Sequence, residues 1–497
     1  MESTSFPRRK KLLFATCPRI LILLLVLATP PLCAQQRQQS FDKNPHWESH
    51  NNRSTLLSTR PVKQDFGFSL THHAGGKSAG ELGGLIHPAA EPAYYARRIP
   101  RKTLDDKLTL SGVVNCTGRQ FHVVVGFFNN NTLNEWRTPN TISLRLYGRG
   151  DKFYAYVEYA TSRWRAGGDN PQPFPFVIDP VTGRRGQSGF AANSPHRWSL
   201  TYDPEANNGG GVVTATIDDA TAICQLDPGH RQDGASFNRC GLMTVMKHWD
   251  DGGELWMDDI TINGRTEHFD SDPGWEPFQN RRDYVSSSIR PRFDFGYSRT
   301  RFAGGRGKGE MGGLVFRGDC RHPDRMAYYA DRLDDLSLAR PIKAAGTIAL
   351  RRGVSDSTTL IGFFHATRSM EVSDSQSSGF PNDFLGMAIE GPSREGFFLY
   401  PLYRVDGIMQ EYARGDDRPR IVPNGTPHDW RLHYSPDGSG NGRIHVTLDS
   451  TTTTLDLAEG VRPADARFNR FGIITTWIDG NGQRVYFDNL TYTAGQR

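Results

Sequence analysis

Cysteine is scarce in this 497-residue chain, with six in all and none in a CxxC pair. That spacing removes a zinc cluster from consideration, and no metal or cofactor site is expected. Charge of one sign is scarce as well. The formal excess of +5 lies mostly in the first 34 residues, where Arg8, Arg9, Lys10, Lys11 and Arg19 face only Glu2. The rest of the chain carries 54 basic against 53 acidic side chains. A nucleic-acid binder keeps a positive excess to neutralise phosphates, so no nucleic-acid partner is expected. Catalytic signatures are missing too: there is no GxSxG, no HExxH and no P-loop. With 52 glycines and 30 prolines, little room is left for long helices. A short helix over residues 92–98 is the best candidate for one.

Long apolar runs are limited to residues 20–28. This run follows the basic cluster and precedes Pro30, Pro31 and the small Ala34, the arrangement of a signal peptide cleaved after residue 34. It is short for a permanent anchor, and Pro31 and Leu32 are poor neighbours for lipidation at Cys33. Residues 1–34 are therefore expected to be removed, leaving a secreted protein (periplasmic or extracellular) without a membrane anchor. Four cysteines remain. Cys224 and Cys240 are either a disulfide of an oxidising compartment or two small buried hydrophobes.

What the sequence does contain is one unit written twice. Residues 41–53 (FDKNPHWESHNNR) match 269–281 (FDSDPGWEPFQNR) at 7 of 13 positions. Residues 66–87 match 295–316 at 12 of 22. Tyr94-Tyr95 returns as Tyr328-Tyr329, Asn238-Arg239 as Asn469-Arg470, and the closing WMDDIT as YFDNLT. A period this long excludes solenoid and propeller repeats. Within each copy, runs such as FHVVVGFF and FYAYVEYA are β-branched and aromatic, many alternate with period two, and Gly/Asn/Asp/Pro clusters separate them. The expected fold is all-β, two tandem jelly-roll/β-sandwich domains of similar topology, over residues 35–264 and 265–497. Trp47 and Trp275, each beside a Glu at the start of a copy, are expected to be buried anchors.

The opening FD…W segment and the closing (Y/W)-x-D-(D/N)-(I/L)-T strand resemble the concanavalin A-like lectin and glucanase superfamily. The resemblance implies a closing strand lying beside the N-terminal one, and a carbohydrate ligand. The E-x-D-x-x-E strand of its glucanases and the R-(S/T)-E-x-R and Q-(I/V)-H strands of its alginate lyases are absent here, so catalytic residues remain unassigned.

Candidate ligand-binding residues fall into two groups. Shared by both copies are GE-x-GG with Glu81 (Glu310) and AYYA-x-R with Arg98 (Arg332). These residues either clamp a sugar or brace the fold. A second shared set, Asn238-Arg239 and Asn469-Arg470 with Asp258 and Asp488, has the same two readings. Particular to the first copy are Glu135-Trp136-Arg137, Arg145, Tyr156, Glu158, Tyr159, Arg163, Trp164 and Arg165. Tyr156 and Glu158, two apart, share one sheet face, where rings can stack on pyranose C–H faces and arginines can meet acidic sugars. The second copy has His365, Glu371, Glu390, Glu395, Tyr403 and Arg404 in equivalent territory. His72, His73 and His87 have no counterparts there. The resulting expectation is recognition, with processing open, of an extracellular and acidic polysaccharide. A lyase or glycosidase of an unrecognised family and a structural or adhesive surface protein are the alternatives.

Overall fold

The computed structural model describes residues 35–495, except segments 54–58, 118–120, 135–137, 245–251, 288–291, 319–325 and 372–378 and a few single or paired positions (90, 179, 413–414, 416, 438–439, 463–464 and 479). Residues 1–34, the Glu135-Trp136-Arg137 motif and Cys320 lie outside the described residues. Four large antiparallel sheets form two sandwiches. Alternation builds each core. In Phe121–Phe128, the side chains of Phe121, Val123, Val125 and Phe127 enter the first core, while His122, Val124, Gly126 and Phe128 face the other way. In Thr358–Phe364, Ile361 and Phe363 do the same in the second. In each sandwich we call the sheet carrying these strands the front sheet and its partner the back sheet.

The copies share their braces. Trp198 and Trp430 are buried on equivalent back-sheet strands. Tyr202 donates to the Leu104 carbonyl and Tyr434 to that of Leu338, both at 2.8 Å. His196 meets Asp218 as His428 meets Asp449. Residues 92–98 are not helical: Tyr94–Thr103 is a front-sheet strand, with Tyr95 turned into the core and Tyr94 and Ala96 packed on the opposite face. Cys116, Cys224 and Cys240 are free and buried, so the hydrophobe reading holds for Cys224 and Cys240. Burial pushes the Cys224 thiol up to about 12.

The strand pairing crosses the repeat boundary. Gln35–Gln39 pairs with Gly482–Gly495, the closing strand of the second copy, and Glu48–His50 pairs with Tyr328–Leu336. Phe41 and Trp47 lie in the second core, Trp47 between Tyr329 and Tyr492. Reciprocally, Arg265–Glu267 pairs with the first copy's closing strand Gly253–Ile262. Glu276–Phe278 pairs with Tyr94–Thr103, and Arg281–Ser287 with Thr59–Ser69. Phe269 and Trp275 lie in the first core. Both tryptophans are buried, as expected, but each fills the sandwich of the other copy. The closing strands do lie beside an opening strand, again that of the other copy. Units 35–264 and 265–497 are thus repeats of sequence. In space, residues 59–287 form one sandwich, and residues 294–495 with 35–53 form the other.

The motifs common to both copies hold this exchange in place. The carboxylate of Glu276 accepts from Tyr94 Oη (2.5 Å), Arg98 Nε (2.5 Å) and Arg239 Nη2 (2.9 Å). Glu48 accepts from Tyr328, from Arg332 Nε (2.6 Å) and from Arg470 Nη2 (3.0 Å). Burial opposes the charge on each carboxylate, but these bonds outweigh it and hold both below the usual glutamate range. The Asn52 and Asn280 carbonyls accept the backbone N–H groups of Phe295 and Phe66, and the two side-chain amides donate to the carbonyls of those phenylalanines. Gly296 and Gly67, at φ +136 and +143, leave room for those amides: a Cβ would stand 2.9 and 3.0 Å from them.

Candidate functional site

Arg98 therefore takes part in the clasp around Glu276, while most of its side chain stays exposed. Glu81 is likewise occupied. It is fully buried, and its two oxygens accept the backbone N–H groups of His73 (2.8 Å) and Ala74 (2.7 Å), bracing the loop before its strand. Glu310 repeats this with Phe302 and Ala303. The Asn-Arg pairs brace the fold too, but toward the exchanged segment: Arg239 and Arg470 reach Glu276 and Glu48, not the closing-strand aspartates. The histidines His72, His73 and His87 turn to separate partners, the Gly76 carbonyl, the Trp256 ring and the Lys63 carbonyl.

Burial, with Asp259 and Glu81 close by, pushes the Asp258 carboxyl up to about 6, and burial does the same to Asp488 beside Glu310 and Asp42. Each packs so close to a glycine, Gly76 or Gly305, that a Cβ there would overlap the carboxylate. A carboxyl raised on folding favours the folded state below its unfolded pKa, and that advantage is lost as pH rises through about 6. Asp258→Asn keeps an acceptor for the Asp259 N–H and removes the charge. It is expected to stabilise the protein by about 2–3 kcal/mol at pH 8 and by little at pH 4, read as denaturation midpoints at the two pH values.

Of the residues peculiar to the first copy, Arg145, Tyr156 and Glu158 come together on the outer face of its front sheet, where strands Phe121–Phe128, Thr141–Arg149 and Lys152–Ala160 lie side by side. Directly opposed positions on antiparallel strands share a face, which sets up three rows. His122, Tyr147 and Tyr154 form an aromatic row, with His122 and Tyr147 stacked at 4.1 Å. Next, Arg145 opposes Tyr156 and lies over its ring, 4.3 Å from the centroid. In the third row Ser143 opposes Glu158, and Arg145 Nε reaches across to Glu158 Oε1 at 2.8 Å. Arg145, Tyr147, Tyr154, Tyr156 and Glu158 are all partly exposed. The small buried residues Ala96, Gly241 and Gly126 continue the third row. One end of the face is capped by Leu133 and by Val354 of the second sandwich, which pack on Tyr94, Val124 and Phe128.

Tyr159 does not join this face. It is one step out of phase with Tyr156 and Glu158, so it enters the core, where its hydroxyl meets His230 Nδ1 (2.8 Å) and the Asp227 N–H (2.9 Å). Arg163, Trp164 and Arg165 also leave it, forming the hairpin tip that meets the second sandwich. There Arg165 is paired with Asp233 and donates to the Gly229 carbonyl, and Trp164 packs edge-on against Phe397. Asp169 escaped the sequence reading. It follows Gly168, which opposes Glu158, and its Oδ1 accepts the Val157 N–H at 2.5 Å. Burial pushes its carboxyl up to about 6, with Glu158 adding to the rise. The only sequence signal for it was register: the strand returning after the hairpin at 161–165 brings an acid next to the Glu158 row.

The equivalent face of the second sandwich is a different surface. Matching cross-strand positions place Leu402 where Glu158 stands, Ala388 for Arg145, Phe398 for Tyr154 and Glu390 for Tyr147, with Tyr400 matching Tyr156. It is apolar and covered by Phe380, Met370, Met409 and Ile478. Glu390 is bound by Tyr400 and Arg317. Tyr403 and Arg404 are buried, and Arg404 donates to the Phe380 carbonyl. His365 accepts backbone N–H groups of its own turn, and Glu371 is exposed. Glu395 faces the first sandwich, paired with Arg418.

No family model matches the chain, and no curated protein does. Among solved structures it is similar to domains LG4-5 of the mouse laminin alpha1 chain, at 12% identity and TM-score 0.22, covering 94% of this chain and 91% of that one. It is also similar to an endo-beta-1,4-glucuronan lyase of the fungus Trichoderma reesei, at 10% identity and TM-score 0.25, over 45% of this chain and 96% of that one. An alginate lyase, Aly36B, matches at 12% identity and TM-score 0.25, over 40% and 86%. The sandwich assignment stands on the strand topology itself.

Proposed function

We propose that this is an exported protein that binds an acidic glycan on the outer front face of its first sandwich. One observation carries this reading: the same scaffold presents a half-open face of tyrosines, arginine and glutamate in one copy and a covered apolar face in the other. Tyr147, Tyr154 and Tyr156 supply rings for pyranose C–H faces. The Arg145–Glu158 pair supplies charge-assisted donors and acceptors for hydroxyls and carboxylates. Salt screens the attraction between Arg145 and an acidic sugar, so affinity is expected to fall as ionic strength rises. Calorimetric titration of the purified protein with a tetra-uronate tests it. Tyr156→Ala is expected to weaken binding roughly tenfold, the loss of one stacking ring and its cation contact, with little change in melting temperature. Unchanged affinity in that variant removes the face from the reading.

Asp169 favours a second reading, cleavage of the bound chain. A carboxyl that titrates near 6 beside another carboxylate has the protonation behaviour that acid–base catalysis uses. New reducing or unsaturated ends produced by the protein, and lost in Asp169→Asn with binding retained, separate processing from recognition.

A further inference from the structure

The two sandwiches meet at a second feature that neither repeat contains alone. The tip of the hairpin after Lys152–Ala160 inserts against the turn at residues 393–397. The Ala166 N–H donates to the Ser393 carbonyl at 2.7 Å, His230 Nε2 lies 2.9 Å from the Arg394 carbonyl, and Arg394 reaches Asp227. Trp164, at the tip, holds φ +64, a conformation unfavourable for a bulky residue and kept only where the surroundings over-determine it. Its edge-on contact with Phe397 supplies that constraint. Beside this joint lies a cavity of about 150 Å³ walled by Arg163, Arg165 and Asp233 from one sandwich and Glu395, Phe397, Arg420, Ile421 and Val422 from the other.

Its charges do not cancel. Asp233 is held by Arg165 through two bonds, 2.6 and 2.8 Å. Glu395 is held by Arg418 at 2.6 Å. That leaves Arg163, whose guanidinium makes no ion pair among the described residues, and Arg420, whose guanidinium donates to the Glu395 carbonyl and makes no ion pair among the described residues. Both are exposed. Two arginines from different sandwiches thus line one cleft with Phe397, Ile421 and Val422.

We infer that this cleft is an anion subsite for the carboxylate of a uronic acid residue, assembled only when both sandwiches are docked. Guanidinium forks match a planar carboxylate in two parallel bonds, and the apolar lining suits the C–H face of the same sugar. A void equal to the liquid share of roughly five waters holds one such end and not a run of rings. The inference rests on the glycan reading above and deepens it. The strand bearing Tyr156 and Glu158 leads straight to the hairpin that carries Arg163. At about 3.3 Å per residue, and less through the turn beyond Ala160, the face and the cleft lie at most roughly 20 Å apart along the chain, within the span of one oligosaccharide.

Titration of the whole mature chain with a tetra-uronate and with its carboxyl-reduced, neutral counterpart tests this. Arg163→Gln and Arg420→Gln are each expected to weaken the uronate roughly tenfold and leave the neutral tetramer unchanged, whereas Tyr156→Ala weakens both. Uronate affinity equal to wild type in both arginine variants overturns the cleft while leaving the face standing. Weakening in the arginine variants with Tyr156→Ala unaffected keeps the cleft and removes the face. Equal losses for charged and neutral tetramers overturn the carboxylate assignment, and a wild-type protein that binds neither overturns both.

Discussion

Removing residues 35–53 is expected to unfold the second sandwich and leave the first folded, although the deletion lies at the start of the first repeat. The deleted segment supplies two strands, Gln35–Gln39 and Glu48–His50, to the second sandwich. It also supplies Phe41 and Trp47, 0% and 8% exposed, to its core. Losing a buried Phe or Trp costs about 3–5 kcal/mol each. Arg470, only 13% exposed at its side chain when paired with Glu48, is left with a half-buried charge and no carboxylate, and breaking a buried pair costs about 3–5 kcal/mol. Together these match the whole stability of an ordinary domain, about 5–15 kcal/mol. Proteolysis followed by mass mapping checks it: cleavage should concentrate within residues 294–495 and spare 59–287.

Single substitutions should show the same crossing. Trp275→Ala is expected to cost the first sandwich about 3–5 kcal/mol and Trp47→Ala the second by a similar amount, each acting on the copy to which it does not belong in sequence. Trp275 packs on Tyr95 and Phe269, its ring 6.0 and 5.2 Å from theirs. Trp47 makes the same pair of contacts with Tyr329 and Phe41 at 5.7 and 5.1 Å. Amide hydrogen exchange resolved along the chain reads which sandwich loses protection. Protection lost in residues 94–262 on Trp47→Ala would contradict the crossing.

The crossing was not legible in the sequence for a physical reason. The two opening segments carry the same docking residues, Phe, Trp, Glu and Asn, and both sandwiches carry the same Tyr, Arg and Asn-Arg receptors. Likeness between copies therefore shows what docks and not where. Period two, by contrast, was enough to place Tyr156 and Glu158 on one face, and applied strictly it also removes Tyr159 from it. Glu81 and Arg98 read as ligands or, because the motif recurs in both copies, rather as braces, since a carboxylate among glycines also serves a buried turn. Asp169 and Arg420 gave no local signal. The first becomes notable only through register with Glu158, and the second reaches the Arg163 hairpin from the other repeat. What duplication preserved here is the machinery of closure, and what diverged is the outer face.

Two fragments expressed side by side test reciprocal closure most directly: residues 59–287, a sandwich with its closing segment, and residues 35–264, the repeat as written in the sequence. The pairing predicts that 59–287 unfolds in a single cooperative transition with dispersed amide signals, while 35–264 does not, having lost Phe269, Trp275 and the strands that follow them. A cooperative 35–264 beside an unfolded 59–287 would contradict it.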